Sequence, residues 1–157
     1  MKITRKDSGE VFESIIDTVS ALDFSRIRKS KNFVFDWDQE KAHEIYKIYL
    51  KSNDDQILGL LAITDIPEEL RVHINLLEVT KSQVGQMKTL ENIAGCLIAF
   101  ACAVAFKRGY AGFVSLVPKT RLIGLYQEKY GFRQYGRFLA IEFERSKQLI
   151  DKYLGDA

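Results

Sequence analysis

A mixed β-sheet with flanking helices, an α+β fold, is predicted by three features of this sequence. Residues 71–79 read RVHINLLEV, an extended and largely apolar run that belongs in the middle of a sheet. Residues 89–106 read TLENIAGCLIAFACAVAF, with Leu90, Ile93, Ala94, Leu97, Ala101, Val104 and Ala105 recurring at helical spacing. A second extended run, GFVSLV within residues 110–118, follows that helix closely and should return parallel to the first.

The helix carries further apolar residues, Cys96, Ile98, Phe100 and Phe106, around its remaining faces, so protein should cover all its sides. A membrane span is the competing reading, since about 18 apolar residues approach membrane length. Lys107 and Arg108 end the run and small residues fill its middle, which favours a buried helix and no membrane partner. Cys96 and Cys102 lie six positions apart, roughly 9 Å along the axis, too far to pair. With no His-rich or Cys-rich cluster beside them they read as small buried hydrophobes, and no metal site is expected.

The 157 residues fit one domain, 1–157, with no repeat, low-complexity tract or linker. Hydrophobic content of 46% and charged content of 28% are ordinary for a soluble protein, and the net charge of +2 argues against nucleic acid as a partner. No continuous apolar segment follows Met1, so no secretory signal is read and the expected location is the cytoplasm.

Taken in order, Val11, Ile15, Ile16, Val19 and Leu22 predict an amphipathic helix over residues 8–22 capped by Ser8. Residues 24–32 carry Arg26, Arg28, Lys29 and Lys31 and read as a solvated connection, with a nucleic-acid groove as the alternative. Residues 33–37, 44–50 and 56–64 read as successive antiparallel strands, although a helix over 39–50 competes for the second. Residues 65–70 form a turn. After the parallel strand, a helix over about 119–130 is closed by Gly131, a strand covers 133–143, and a terminal helix covers 144–156.

The order of these elements, with LLEV, the loop, NIAGCLIAFACAVAFKRGYAGFVSLVPKT and then LYQEKYGF, resembles the GNAT superfamily of acyl-coenzyme A dependent N-acyltransferases, best over residues 56–143. The resemblance implies that the central strand and its parallel neighbour splay apart. Acetyl-CoA would lie in the wedge as cosubstrate, against Leu77 and Val79, with its pyrophosphate on the loop before the central helix. That loop in the family shows Gln or Arg, two residues, Gly, one residue, then Gly or Ala. Here Thr89 takes the basic position, Asn92 the first Gly and Ala94 the second, with Lys88 adjacent to supply charge and Ile93 between. A second landmark is an Asn ahead of a helix ending in Leu-Tyr, three residues, Gly-Phe. Leu125, Tyr126, Gly131 and Phe132 match it with four residues in the gap, and Lys119 or Thr120 stands in for the Asn.

By the same resemblance Tyr126 is the candidate acid that protonates the departing thiolate, and the backbone N–H of Val79 the donor to the oxyanion. The base is left open among Glu78, the nearest carboxylate in sequence, and His73, Asp36 and Glu44. Lys119, Thr120 and Arg121 could meet the coenzyme's phosphates. The implied activity is transfer of an acetyl group from acetyl-CoA to a primary amine, small-molecule or peptide, by direct attack. The alternative is a catalytically degenerate binding or regulatory module of the same fold. A homodimer is compatible with either.

Overall fold

The computed structural model describes residues 1–80, 90–118 and 123–155. Its elements run β1 (Lys2–Arg5), β2 (Val11–Thr18), α1 (Ala21–Ser30), a 3-10 turn (Trp37–Glu40), β3 (Glu44–Leu50), β4 (Gly59–Ile66) and β5 (Arg71–Val79). Then come β6 (Leu90–Glu91), α2 (Ile93–Lys107), β7 (Val114–Leu116), α3 (Ile123–Leu125) leading into a π-turn (Tyr126–Tyr130), β8 (Arg133–Tyr135), β9 (Phe138–Ile141) and α4 (Phe143–Tyr153). The chain forms two compact units, Met1–Ala62 with Leu76–Leu97, and Ile63–Asn75 with Ile98–Ala157.

In the first unit the strand order is β6-β1-β2-β3-β4-β5. The β1–β2, β2–β3 and β1–β6 pairings are antiparallel. Residues 11–18 are a strand, which overturns the helix expected over 8–22. The run VFESIIDT is rich in β-branched side chains, which lose rotamer freedom in a helix and pack well on a pleated surface. The helix that does form begins after Ser20, whose Oγ accepts from the N–H of Asp23 while the Asp23 carboxylate accepts from the N–H of Ser20. Burial alone would raise the Asp23 pKa, but the Lys47 ammonium at 2.8 Å and the two Ser20 donors outweigh it and hold it low.

Residues 33–37 are not a strand, contrary to the alternation of their aromatics. Trp37 and Phe33 instead join α1's Phe24 and Ile27, with Ile45, Ile57 and Leu60, in one apolar cluster. Residues 44–50 are the strand expected, not the competing helix. At Gly59 the backbone of β4 comes so close to α2 that an added Cβ would lie 3.1 Å from both Ile93 and Leu97, so the glycine seats the first turns of that helix.

In the second unit the order is β4-β5-β7-β9-β8. β5 and β7 are parallel and β7–β9 and β8–β9 antiparallel, so the sheet is mixed as predicted. The single strand expected over 133–143 is a hairpin turning at Gly136 (φ +60°). Cys96 and Cys102 are both buried thiols outside any disulfide, and burial pushes each up to about 12.

Candidate functional site

Parallel pairing between β5 and β7 covers three positions, Val72↔Val114, His73↔Ser115 and Ile74↔Leu116. β7 ends there, whereas β5 runs five residues further to Val79. Leu77 and Val79 lie on the part of β5 beyond that pairing. Beyond it the N–H of Thr80 bonds the carbonyl of Leu58 at 3.0 Å, so the end of the strand stays tied down on its other side.

Glu78 is 8% exposed. One carboxylate oxygen, Oε2, accepts from the N–H of Val34 at 2.6 Å, and the other, Oε1, from Phe35 N–H at 3.3 Å and Trp37 Nε1 at 2.8 Å. A buried carboxylate needs such donors, and these three fill all but one of its roughly four acceptor positions. The partners lie 41 to 44 residues away in sequence, which no local pattern reveals. Glu78 therefore clamps residues 34–37 onto β5 and, among the described residues, keeps one acceptor position on Oε2.

Asn92 forms the junction between β6 and α2. Its φ of +77° lies in the left-handed region, which glycine occupies freely and Asn enters more readily than most residues. The resemblance aligns Asn92 with the family's first Gly, and the backbone here has the conformation for which that Gly is suited. The helix begins at Ile93, four residues later than expected, because Leu90 and Glu91 pair with Arg5 and Thr4 as a short strand. Asn92 O accepts the first helical bond, from Cys96 N. The amides of Ile93, Ala94 and Gly95 thus start the helix, where backbone donors lack intrahelical partners and favour an anion.

Tyr126 opens a five-residue π-turn, and the turn closes on Gly131 at φ +79°, whose N–H reaches the carbonyls of Gln127 and Tyr126. A π-turn holds one residue more than an α-turn. The fourth residue between Tyr126 and Gly131, one more than the family's spacing, is accommodated there. The Tyr126 ring meets Phe132 edge-on at 5.6 Å and Tyr130 at 6.1 Å, and burial raises the pKa of its hydroxyl. Tyr126 belongs to the second unit; Glu78, Val79 and Asn92 belong to the first. Lys88, Thr89, Lys119, Thr120 and Arg121 lie outside the described residues.

His73 takes part in a different arrangement. Its Nδ1 lies 2.9 Å from Ser115 Oγ and 3.1 Å from Arg71 Nη1, Arg71 donates to Ser115 Oγ at 2.6 Å and pairs with Glu69 at 3.0 Å. Burial, and then the Arg71 charge, lower the His73 pKa, so the ring is held neutral. Sequence reading passed over Arg71 and Ser115, since nothing marks a cross-strand pair until register is known. Asp36 caps the 3-10 turn through the N–H of Asp38, and Glu44 accepts from the Tyr46 hydroxyl. Among the described residues no group of acidic, His or Cys side chains could hold a metal, and no helix is long and apolar enough to cross a membrane.

The chain matches no protein-family model and no curated protein sequence. Its backbone is similar to solved acetyltransferases. One, from Desulfovibrio desulfuricans and assigned to the GNAT family, has a TM-score of 0.61 and 12% identity over 82% of this chain and 98% of its own. N-acetylglutamate synthase from Neisseria gonorrhoeae, complexed with coenzyme A and L-arginine, gives 0.61 and 12% over 85% of this chain and 34% of the larger enzyme. AtaTR bound with acetyl-CoA gives 0.58 and 15% over 88% and 98%. The fold is that of the GNAT acetyltransferases.

Proposed function

We propose that this protein is an acetyl-CoA dependent N-acetyltransferase acting on a primary amine. The observation that carries this reading is the end of β5–β7 pairing at Ile74↔Leu116 while β5 continues to Val79, in a fold whose solved examples hold acetyl-CoA or coenzyme A. The thioester arm would lie along Leu77 and Val79, with the pyrophosphate on the start of α2 at Asn92, Ile93 and Ala94 and on Lys88 and Thr89 before it. By the resemblance, Lys119 and Thr120 would also meet the coenzyme.

In the reaction the amine nitrogen attacks the thioester carbon, a C–N bond forms and the C–S bond breaks with its electron pair on sulfur. The Val79 N–H would steady the oxyanion in between. The proton lost by the amine would pass to Glu78 through the remaining position on Oε2. Tyr126, whose raised pKa keeps its hydroxyl protonated, would give its proton to the thiolate and regain one from solvent. A second reading, a binding module of the same fold, is favoured by the commitment of three of Glu78's acceptor positions to residues 34–37. Following release of the coenzyme A thiol from acetyl-CoA with a panel of primary amines tests the first reading. Amine-dependent thiol release supports it, and acetyl-CoA binding without release from any amine supports the second.

A further inference from the structure

The segment that Glu78 holds is one wall of a cleft of about 440 Å³ in the first unit, whose opposite wall is α1. That volume is within the usual range for a small-molecule site. Its apolar lining includes Phe24, Ile27, Phe33 and Phe35, three of them aromatic, and Val34 at its rim is 72% exposed. Four charged side chains border it, and they are not equivalent. Arg28 and Asp38 neutralise each other at 2.6 Å, and Lys41, the leading cause, joins Arg28 in holding the Asp38 carboxyl below its usual range. Lys31 and Asp36 are the other two. Both are exposed, and neither forms an ion pair among the described residues. Asp36 spends Oδ1 on the Asp38 N–H and keeps Oδ2.

A cleft with an apolar body, one uncommitted ammonium and one uncommitted carboxylate is complementary to a small zwitterion with an apolar side chain. We propose that it binds an α-amino acid with a large apolar side chain, the ligand carboxylate on Lys31 and its ammonium on Asp36, with the side chain among Phe24, Phe33 and Phe35. That the same amino acid is the acetyl acceptor rests on the transferase reading above; that it binds does not. A polyamine fits less well, since Lys31 opposes its charge and it has no carboxylate for Lys31 to bind. Glu78 then acts on the ligand through the loop it fixes, in addition to any proton it takes.

The test is calorimetric titration of the full chain with L-phenylalanine, without acetyl-CoA, beside phenethylamine, which lacks the carboxylate, and spermidine. L-phenylalanine should bind tightest. Lys31→Gln should weaken L-phenylalanine roughly tenfold and leave phenethylamine unchanged, the scale expected for one charge-assisted contact. Asp36→Asn keeps a capping side chain and should weaken both. Unchanged melting curves would show that both variants fold. Failure of L-phenylalanine to bind, spermidine binding tighter than it, or affinities indifferent to both substitutions would overturn the proposal. A parallel titration with acetyl-CoA separates the two claims: amino-acid binding without acetyl-CoA binding sinks the transferase reading and leaves this one standing.

Discussion

The two halves of β5 treat their polar side chains in opposite ways. In the first half Arg71, His73 and Asn75 find partners within the sheet and its edge, at Ser115, Glu69 and Thr64, where β5 is bonded to β7. In the second half Glu78 reaches off the sheet and fastens a loop from 41 to 44 residues earlier, where the parallel pairing has already ended. Groups that satisfy one another in a paired region stiffen it. Glu78 instead arranges a loop, at a point beyond the β5–β7 pairing seen among the described residues. On the proposed function, the chemistry would lie at the end of the strand and the structural contacts at its beginning.

If the second half is the organising one, Glu78→Ala should be the most damaging single change. It leaves the Trp37 indole N–H and two backbone N–H groups without their charged acceptor, at a cost of about 3 kcal/mol or more, read as a lowered Tm. A Tm within a degree or two of wild type would show that the clamp is dispensable. Tyr126→Phe should lower kcat by roughly 100-fold or more with little change in Tm, because it removes only a proton donor. The alkaline limb of the wild-type kcat profile should lie above pH 10, since burial raises the Tyr126 pKa from 10.0 and the acid form persists to higher pH. An unchanged kcat in the Phe variant would remove Tyr126 from the reaction.

At the helix start, Asn92→Val should cost about 1 kcal/mol, because a β-branched residue resists the left-handed backbone, while Asn92→Gly should be tolerated. Equal stability of the two variants would contradict the backbone argument. The smallest effect should come from the first half of β5. His73 is held neutral in the fold, with its pKa below 6.5, whereas the unfolded chain takes up a proton near 6.5. Its stabilising contribution is present above pH 6.5 and is lost as pH falls from there through the folded value. His73→Gln should flatten this part of the stability profile, and an unaltered slope would show that His73 is not its source.

Much of the fold could be read from local pattern. The helix α2 was legible because eighteen residues repeat one period, and β5 because its ends are marked by the turn at Pro67 and the loss of apolar residues after Val79. Val11, Ile15 and Ile16 misled because their spacing suits a helix while their branching suits a strand, and the real capping box at Ser20 and Asp23 begins twelve residues downstream of Ser8. The alternating aromatics at 33–37 misled for another reason. The backbone N–H groups of Val34 and Phe35 and the Trp37 indole N–H are satisfied by Glu78, a contact set by tertiary structure alone. Two of the departures from the GNAT motifs, Asn92 and the extra residue before Gly131, were visible as letters but not as geometry. A left-handed Asn92 and a π-turn at Tyr126 absorb them, and neither follows from residue type.

The reading stands most directly on whether the chain takes up the coenzyme. Calorimetric titration with acetyl-CoA should show one saturable site, weakened by Asn92→Val, which disturbs the turn into α2. Absence of any heat at millimolar acetyl-CoA, with the protein folded, would contradict it.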